Sequence, residues 1–182
     1  MNIKQLLCLS IALVLSSCTS PSQSEKELRE ALNATLILDF IDSVLHKDST
    51  IDFNLFREKH DFLSVVYLQN GCLPCYPKFV EWHKKMAEMG DIANYSILFV
   101  LQTDSYNDFM LNVQELGEAI DEKYYIIIDP DHQFVINNSQ IPDWVLNSSM
   151  LIDSENKIKM VGAPWVNKDM KNLFFKTVSN EQ

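Results

Sequence analysis

The chain has 182 residues and a formal net charge of −10, from 15 basic and 25 acidic residues. This acidity argues against a nucleic-acid-binding protein and against direct binding to anionic lipid, because phosphate groups repel an acidic surface. A hydrophobic fraction of 47% with 22% charged residues is ordinary for one globular domain of this length.

The first 17 residues have the pattern of a signal peptide. Lys4 precedes an apolar run, Leu6–Leu15, which is too short to span a bilayer as a mature helix. The run ends in Leu15-Ser16-Ser17-Cys18, which resembles the lipobox of bacterial lipoproteins. We therefore expect cleavage before Cys18, loss of Cys8 and attachment of lipid to the Cys18 sulfur. An ordinary secreted protein is the alternative.

A tether and a helical extension are predicted to follow. Residues 18–24 are polar and short, as expected for a tether, and residues 25–52 would form the extension ahead of a main domain over residues 53–182. Helical spacing of Leu28, Leu32, Leu36 and Phe40 predicts a helix over about Glu25–Leu45. The polar residues that follow end this helix, and residues 53–61 give no clear prediction.

The most informative motif is Cys72-Leu73-Pro74-Cys75, which lies between a predicted strand and a predicted helix. Phe62–Gln69 is rich in β-branched and aromatic residues, Asn70-Gly71 is typical of a turn, and Phe79–Met89 has helical spacing. A cysteine at a helix N-terminus faces unpaired N–H groups and the positive end of the helix dipole, which stabilise a thiolate. The second cysteine lies within reach of the first. The motif therefore predicts a dithiol that exchanges disulfides with another protein.

The number of cysteines narrows the alternatives for this pair. If Cys8 is removed and Cys18 carries lipid, Cys72 and Cys75 are the remaining thiols among the four cysteines. A zinc site built from four cysteines is then excluded. A structural disulfide that closes so short a loop would add little stability, because the entropy of loop closure grows with loop length. An inert disulfide and a different metal site remain as alternatives.

The remaining elements alternate between strands and helices before a hairpin and a final helix. The pattern predicts a strand over Tyr95–Leu101, a helix over Asp104–Leu116 capped by Asp104 or Ser105, a short strand over Tyr124–Ile128, an irregular stretch over Asp131–Asn147, hairpin strands over Ser149–Asp153 and Ile158–Gly162, and a helix over Asn167–Val178. This order predicts an α/β fold with a mixed sheet and helices on both faces.

These residues resemble the thioredoxin-like proteins, and most of all the membrane-tethered thiol–disulfide oxidoreductases of bacterial envelopes. The resemblance rests on the order strand, CxxC, helix, strand, and on residues 149–158 (SMLIDSENKI), which are similar to the late strand–turn–strand of that family. It covers about Phe53–Val178 and implies a three-layer α/β/α sandwich with a mixed central sheet, here with an added N-terminal helix. It also implies Cys72 as nucleophile and Cys75 as resolving thiol.

Three positions depart from the pattern of that family. Ser148 stands where its members have a cis-proline opposite the dithiol, so either Pro142 takes that role through a different loop or the cis-proline is absent. Val66 stands where thioredoxins have a buried acidic residue that helps to deprotonate the second cysteine. Gly71 stands where many relatives have an aromatic residue, and glycine leaves Cys72 less shielded.

Two further features of the predicted helix bear on the dithiol. Glu81 and Glu88 are weak candidates for the missing base, and a solvated helix face explains them more simply. Pro77 lacks an N–H, so a helix that started near Cys72 would lose a hydrogen bond at the end of its first turn. We therefore expect a distorted start of this helix.

Other functional classes remain open at this point. Two thiolates with a histidine suit Cu(I) or Zn(II), and His132 is the best candidate to join Cys72 and Cys75 in such a module. A peroxidase that uses Cys72 is less favoured, since no proline precedes it in the preceding strand and turn. A non-catalytic interaction domain would instead use Trp144 and Trp165, although core packing is the commoner role of tryptophan.

We expect a monomeric protein of the bacterial cell envelope, anchored through Cys18 and facing the periplasm or the cell surface. Its partners would be protein thiols and disulfides, with no nucleic acid, cofactor or resident metal. Thr19 rather than an aspartate follows the lipidated cysteine, which slightly favours the outer membrane.

Overall fold

The computed structural model describes residues 21–118, 120 and 124–179. Its strands are β1 (Ser43–His46), β2 (Ser49–Asp52), β3 (Phe62–Gln69), β4 (Tyr95–Gln102), β5 (Tyr125–Ile128), β6 (Ser149–Ile152) and β7 (Ile158–Val161). Its helices are α1 (Gln23–Ala31), α2 (Phe53–Arg57), α3 (Cys75–Met89), α4 (Tyr106–Gln114), α5 (Gln133–Asn137), α6 (Asp143–Leu146) and α7 (Lys168–Ser179). The predicted signal peptide, Cys8 and Cys18 lie outside the described residues.

The two longest strands, β3 and β4, lie at the centre of a mixed seven-stranded sheet with the order β2-β1-β5-β4-β3-β6-β7. They run parallel from the pair Phe62–Tyr95 to the pair Gln69–Gln102, and β5 is parallel to β4. β6 is antiparallel to β3. Because β3 and β4 are buried on both faces, their sequences are nearly continuous apolar runs rather than alternating ones.

The alternating side chains of β3 enter two separate hydrophobic cores. Val65 and Tyr67 pack with residues of α2, α5 and α6 on one face of the sheet. Val66 and Leu68 pack with residues of α3, α4 and α7 on the other face. The structure therefore confirms the predicted α/β fold with helices on both faces of a mixed sheet and a helix ahead of it.

The predicted helix over Glu25–Leu45 is confirmed only in its first part. α1 ends at Ala31, and Asn33 has a φ of 71°, a conformation that terminates helices. The apolar residues beyond it are buried without being helical, among them Leu36 and Leu38. The chain then forms the hairpin β1–β2, which extends the sheet through the pairing of β1 with β5. The prediction was wrong here because the burial of an extended segment happened to match helical spacing.

The stretch predicted to be irregular, Asp131–Asn147, contains the short helices α5 and α6. The carboxylate of Asp129 accepts hydrogen bonds from the N–H groups of Gln133 (2.8 Å) and Phe134 (2.9 Å) at the start of α5. Pro142 occupies the N-cap position of α6. In the part of the chain that the structure describes, none of these helices is both long and apolar enough to cross a membrane.

Candidate functional site

The cysteine motif lies just beyond the end of the central strand β3. The N–H of Asn70 donates to the carbonyl of Gln102 on β4 (3.0 Å), which continues the sheet by one residue. Gly71 then has a φ of 80°, a conformation that favours glycine. The N–H of Cys72 donates to the carbonyl of Gln69 (3.3 Å) and closes the turn. The predicted Asn70-Gly71 turn therefore places Cys72 just beyond the carboxyl end of β3, which is a central strand of the sheet.

Cys72 and Cys75 are joined by a disulfide, with their Cα atoms 5.3 Å apart. Cys75 is the first residue of α3, so Cys72 precedes the helix by one turn of chain. Both cysteines are half-buried, while Leu73 between them is 80% exposed. The N–H of Gln69 donates to Cys75 Sγ (3.4 Å). The pair is thus held at the start of a helix and remains open to a partner from the side of Leu73.

Pro77 does not distort the start of α3, contrary to the sequence-based expectation. Because the helix begins at Cys75 rather than near Cys72, Pro77 is its third residue. The first N–H groups of a helix have no partner within the helix, so proline removes no hydrogen bond there.

Tyr76 fixes the turn that carries Cys72. Its hydroxyl accepts a hydrogen bond from the N–H of Gly71 (2.6 Å) and donates one to Asn70 Oδ1 (2.8 Å). Its ring is buried against Phe109 of α4, with ring centroids 5.1 Å apart. Sequence reasoning missed Tyr76, because its hydroxyl reaches back across the turn to residues that precede the motif.

The loop between α6 and β6 lies beside the dithiol. Ser149 pairs with Val66 in the antiparallel ladder, so residues 147–148 lie next to the last residues of β3, from which the cysteine motif continues. All described peptide bonds are trans, including the bond at Ser148. Of the two alternatives left open by the sequence, a cis-proline at Pro142 is therefore not seen among the described residues, and Pro142 is instead the N-cap residue of α6.

Lys78 joins this loop to the helix that carries Cys75. It lies one turn after Cys75 on α3, and its Nζ donates a hydrogen bond to the carbonyl of Asn147 (2.9 Å). The side chain is half-buried, and this burial lowers the pKa of Lys78 to about 8. No sequence pattern indicates this contact, because it joins residues far apart in the chain.

Solved structures of other proteins have a similar geometry. No protein-family model and no curated protein sequence matches the chain. Among solved structures, the thioredoxin domain of a thiol-disulfide oxidoreductase from Bacteroides vulgatus matches with a TM-score of 0.55 and 17% identity, over 82% of this chain and 99% of that one. A putative thiol:disulfide interchange protein DsbE from Chlorobium tepidum matches with a TM-score of 0.54 and 14% identity, over 75% and 92%.

A third match is a secreted thiol-disulfide isomerase from Corynebacterium glutamicum, with a TM-score of 0.51 and 17% identity, over 75% of this chain and 81% of that one. The chain has the thioredoxin-like fold. This fold, together with the Cys72–Cys75 disulfide at the end of β3, supports a role in thiol–disulfide exchange.

His132, the histidine considered as a metal ligand, contacts a residue at the end of β4. Its Nε2 is 3.3 Å from Nε2 of Gln102, at the end of β4. Within residues 21–118, 120 and 124–179, no group of three or more histidine, cysteine, aspartate or glutamate residues is arranged to hold a metal ion. The structure thus shows the two cysteines as a disulfide rather than as ligands that join His132 at a metal ion.

The two glutamates considered as bases have partners of their own. Glu81 Oε1 accepts a hydrogen bond from the indole N–H of Trp165 (2.9 Å), and Glu88 pairs with Lys85 (2.9 Å). Val66, where thioredoxins have a buried acid, is fully buried in the apolar core against α3. These contacts favour the interpretation that both glutamates belong to a solvated face of α3.

The two tryptophans considered for an interaction surface also have contacts within the chain. Trp144 is 40% exposed, and its indole N–H donates to Glu27 Oε2 of α1 (2.7 Å). Trp165 packs edge-to-face on Trp82, with ring centroids 4.5 Å apart. These contacts attach α1 and the segment before α7 to the rest of the fold, so both side chains have a structural role.

Proposed function

We propose that the protein exchanges thiols and disulfides with protein partners in the bacterial cell envelope, through Cys72 and Cys75. The observation that carries this proposal is the disulfide between the two half-buried cysteines at the start of α3, with the exposed Leu73 between them. A disulfide that closes so short a loop adds little stability, so its position at an open end of the sheet is better explained by reactivity.

The exchange proceeds in two steps from the reduced protein. The Cys72 thiolate attacks one sulfur of a partner disulfide and forms a mixed disulfide, and the other partner sulfur leaves as a thiolate. Cys75 then loses its proton and attacks Cys72 Sγ, and the second partner sulfur leaves. Two electrons have passed to the partner, and Cys72 and Cys75 are joined. The reverse sequence oxidises a partner dithiol.

The N–H of Gln69, which donates to Cys75 Sγ, supports the second step. A hydrogen bond from a backbone N–H stabilises negative charge on the sulfur as Cys75 becomes a thiolate. Cys72, which precedes α3 and is linked to the exposed Leu73, is the sulfur that we assign to the first attack.

The location in the envelope is supported by the sequence pattern and by similar proteins. The first 18 residues have a signal-peptide pattern that ends in a lipobox, and one structural neighbour is a secreted protein. Disulfides persist in such oxidising compartments. We propose that Cys18 carries the lipid anchor of a monomeric protein, with the outer membrane slightly favoured.

The first experiment measures the reduction potential of the full chain in detergent, equilibrated against glutathione with a chelator present. We expect a reversible two-electron transition. A potential at or below about −250 mV would identify a reductant, and a value near about −120 mV an oxidant. Cys75→Ser is expected to trap mixed disulfides with envelope proteins, and Cys72→Ser serves as the matched control that traps none. Failure to observe a reversible couple would overturn the proposal.

The anchor has a separate test in a bacterial host. Cells that express the chain are labelled with radioactive palmitate, and we expect the label in the wild-type protein and not in Cys18→Ala. Label in both proteins, or in neither, would contradict lipid attachment at Cys18 without affecting the proposed redox chemistry.

A further inference from the structure

The dithiol has a cationic neighbour, Lys78 of α3. Lys78 and Cys75 are three residues apart on α3, and residues at this spacing lie on the same face of a helix, with Cβ atoms about 5–6 Å apart. At its other end, Lys78 Nζ is bound to the carbonyl of Asn147, in the loop beside the last residues of β3. The helical spacing and the hydrogen bond together place the ammonium group at the dithiol end of the sheet.

Within the described residues, no carboxylate is paired with this ammonium in the disulfide form. Its hydrogen-bond acceptor is a neutral carbonyl, and burial is the sole cause of the lowered pKa of Lys78. Glu81, one turn after Lys78 on α3, accepts a hydrogen bond from the indole N–H of Trp165 instead, and Asp143 lies one turn before Asn147, at the start of α6. A half-buried charge of this kind raises the free energy of the protein unless an anion comes near it.

Reduction of the disulfide supplies such an anion. When two electrons and one proton enter the Cys72–Cys75 pair, the products are one thiolate and one thiol, and the thiolate lies at the start of the helix that carries Lys78. In thioredoxins a buried acidic residue acts on the second cysteine, and this chain has the apolar Val66 at that position. A cation beside the pair would assist deprotonation in another way, because it favours the thiolate directly.

We propose that Lys78 is a positioning residue whose ammonium group, held between α3 and the loop before β6, stabilises the thiolate form of the reduced dithiol. This inference rests on the proposed disulfide exchange. The attraction exists in the reduced protein and is absent in the disulfide form, so Lys78 raises the reduction potential and makes the protein a weaker reductant. Conversely, the pKa of Lys78 is raised when the dithiol is reduced.

The test compares the full-length wild-type protein with three variants, each equilibrated with glutathione at pH 7. Lys78→Gln keeps a hydrogen-bond donor for Asn147 but removes the charge, and Lys78→Arg keeps both. Lys85→Gln removes a charge from an exposed ion pair on the same helix and is the matched control. We expect Lys78→Gln to lower the equilibrium constant for reduction about tenfold, equal to about 30 mV. Lys78→Arg and Lys85→Gln should stay within about twofold of the wild type.

A second readout separates charge from a merely structural role. The alkylation rate of reduced Cys72, measured against pH, reports the fraction of thiolate. We expect its midpoint to move up by about one pH unit in Lys78→Gln, which matches a tenfold effect, and to stay in place in Lys85→Gln. The difference between the wild type and Lys78→Gln should shrink at alkaline pH, where the ammonium group loses its proton.

Two outcomes would overturn the inference while leaving the proposed function intact. The first is an unchanged potential and an unchanged thiolate midpoint in Lys78→Gln. The second is an equal loss in Lys78→Arg and Lys78→Gln, because the hydrogen-bonded geometry rather than the charge would then set the potential. A wild-type protein without any reversible couple would contradict the proposed function itself.

Discussion

Two turns at opposite ends of β3 are held by different kinds of contact. The turn after β6 lies at the start of β3 and is held by charged groups. Arg57 of α2 donates to the carbonyl of Asp153 and to Asn156 Oδ1 (3.2 Å) in this turn. The carboxylate of Asp153 accepts from the N–H groups of Glu155 and Lys157, each at 2.9 Å, and pairs with Lys159 (2.9 Å).

The turn that carries Cys72 is held instead by neutral groups. Tyr76 binds Gly71 and Asn70, and the N–H of Gln69 donates to Cys75 Sγ. Loss of a partner from a half-buried charge costs far more than loss of a neutral hydrogen bond near solvent. We therefore expect the first turn to contribute more to stability, and the second turn to tolerate changes that tune reactivity.

The largest effect on stability should come from Arg57→Ala. The Arg57 side chain also donates to the carbonyl of His60, so the change leaves two carbonyls and one amide oxygen without their donor. We expect a loss of about 3 kcal/mol in the free energy of unfolding, measured by urea titration. Arg29→Ala, at a surface ion pair in which the Arg29 side chain is 70% exposed, should cost less than about 0.5 kcal/mol. Equal losses in the two variants would remove the distinction between the turns.

The next effect is a pH dependence that arises from Asp153. Burial alone would raise its pKa, but hydrogen bonds from Lys159 and from two backbone N–H groups outweigh burial and hold the pKa of Asp153 below its usual range. The stability that Asp153 contributes is therefore present above the unfolded pKa of about 3.9 and is lost as the pH falls through the lower, folded pKa.

Replacement of this carboxylate should remove that dependence. We expect Asp153→Asn to cost about 1–2 kcal/mol at pH 7 in urea unfolding, and less at an acidic pH below the folded pKa of Asp153, where the wild type has also lost the charge. Asp131→Asn, at an exposed residue, is the control and should change little. A cost for Asp153→Asn that is the same at both pH values would show that the charge does not matter.

At the dithiol turn, Tyr76→Phe should have a modest effect on stability and a clear effect on chemistry. It removes two neutral hydrogen bonds at the edge of the core, for about 1 kcal/mol of unfolding free energy. Because the turn is released, we expect the alkylation rate of reduced Cys72 to change severalfold. Tyr95→Phe removes a buried hydroxyl bound to Ser64 at the other end of the sheet, and it should leave that rate unchanged.

Leu73→Ser should have the smallest effect on stability, within about 0.5 kcal/mol, because the side chain is 80% exposed. We nevertheless expect it to slow the reduction of insulin, a protein disulfide, more than the reduction of a small disulfide, since only the protein contacts the surface around Leu73. Leu55→Ser, at a 56% exposed leucine of α2, is the control. Equal slowing of both substrates would argue against a docking role for Leu73.

Local sequence patterns were sufficient to predict the elements around the dithiol. β3 was predicted with its correct bounds from its apolar run, and the hairpin β6–β7 was predicted from two runs separated by Ser154-Glu155-Asn156. Ser105 is the N-cap of α4, as one of the two predicted candidates. These features depend on residues close together in the chain, which is why the sequence indicates them.

The wrong bounds of α1 and the contacts that were not predicted have a different physical origin. α1 was predicted to be too long because Leu36 is buried by packing of an extended segment, although Asn33 was an available signal for the end of the helix. The contacts of Lys78 with Asn147 and of Arg57 with Asp153 join residues far apart in the sequence. No local pattern encodes such pairs, so these contacts became visible only in the folded protein.

The strands at the two edges of the sheet are shorter than those at its centre. Its outermost strands, β2 and β7, have four residues each, whereas β3 and β4 at the centre have eight. The ladder beside β7 is also irregular, with a register shift at Leu151–Ile152. Short and irregular borders offer few free backbone groups to another chain. The long apolar strands β3 and β4 are thereby shielded from pairing with another chain. This arrangement favours a protein that stays dispersed at high concentration.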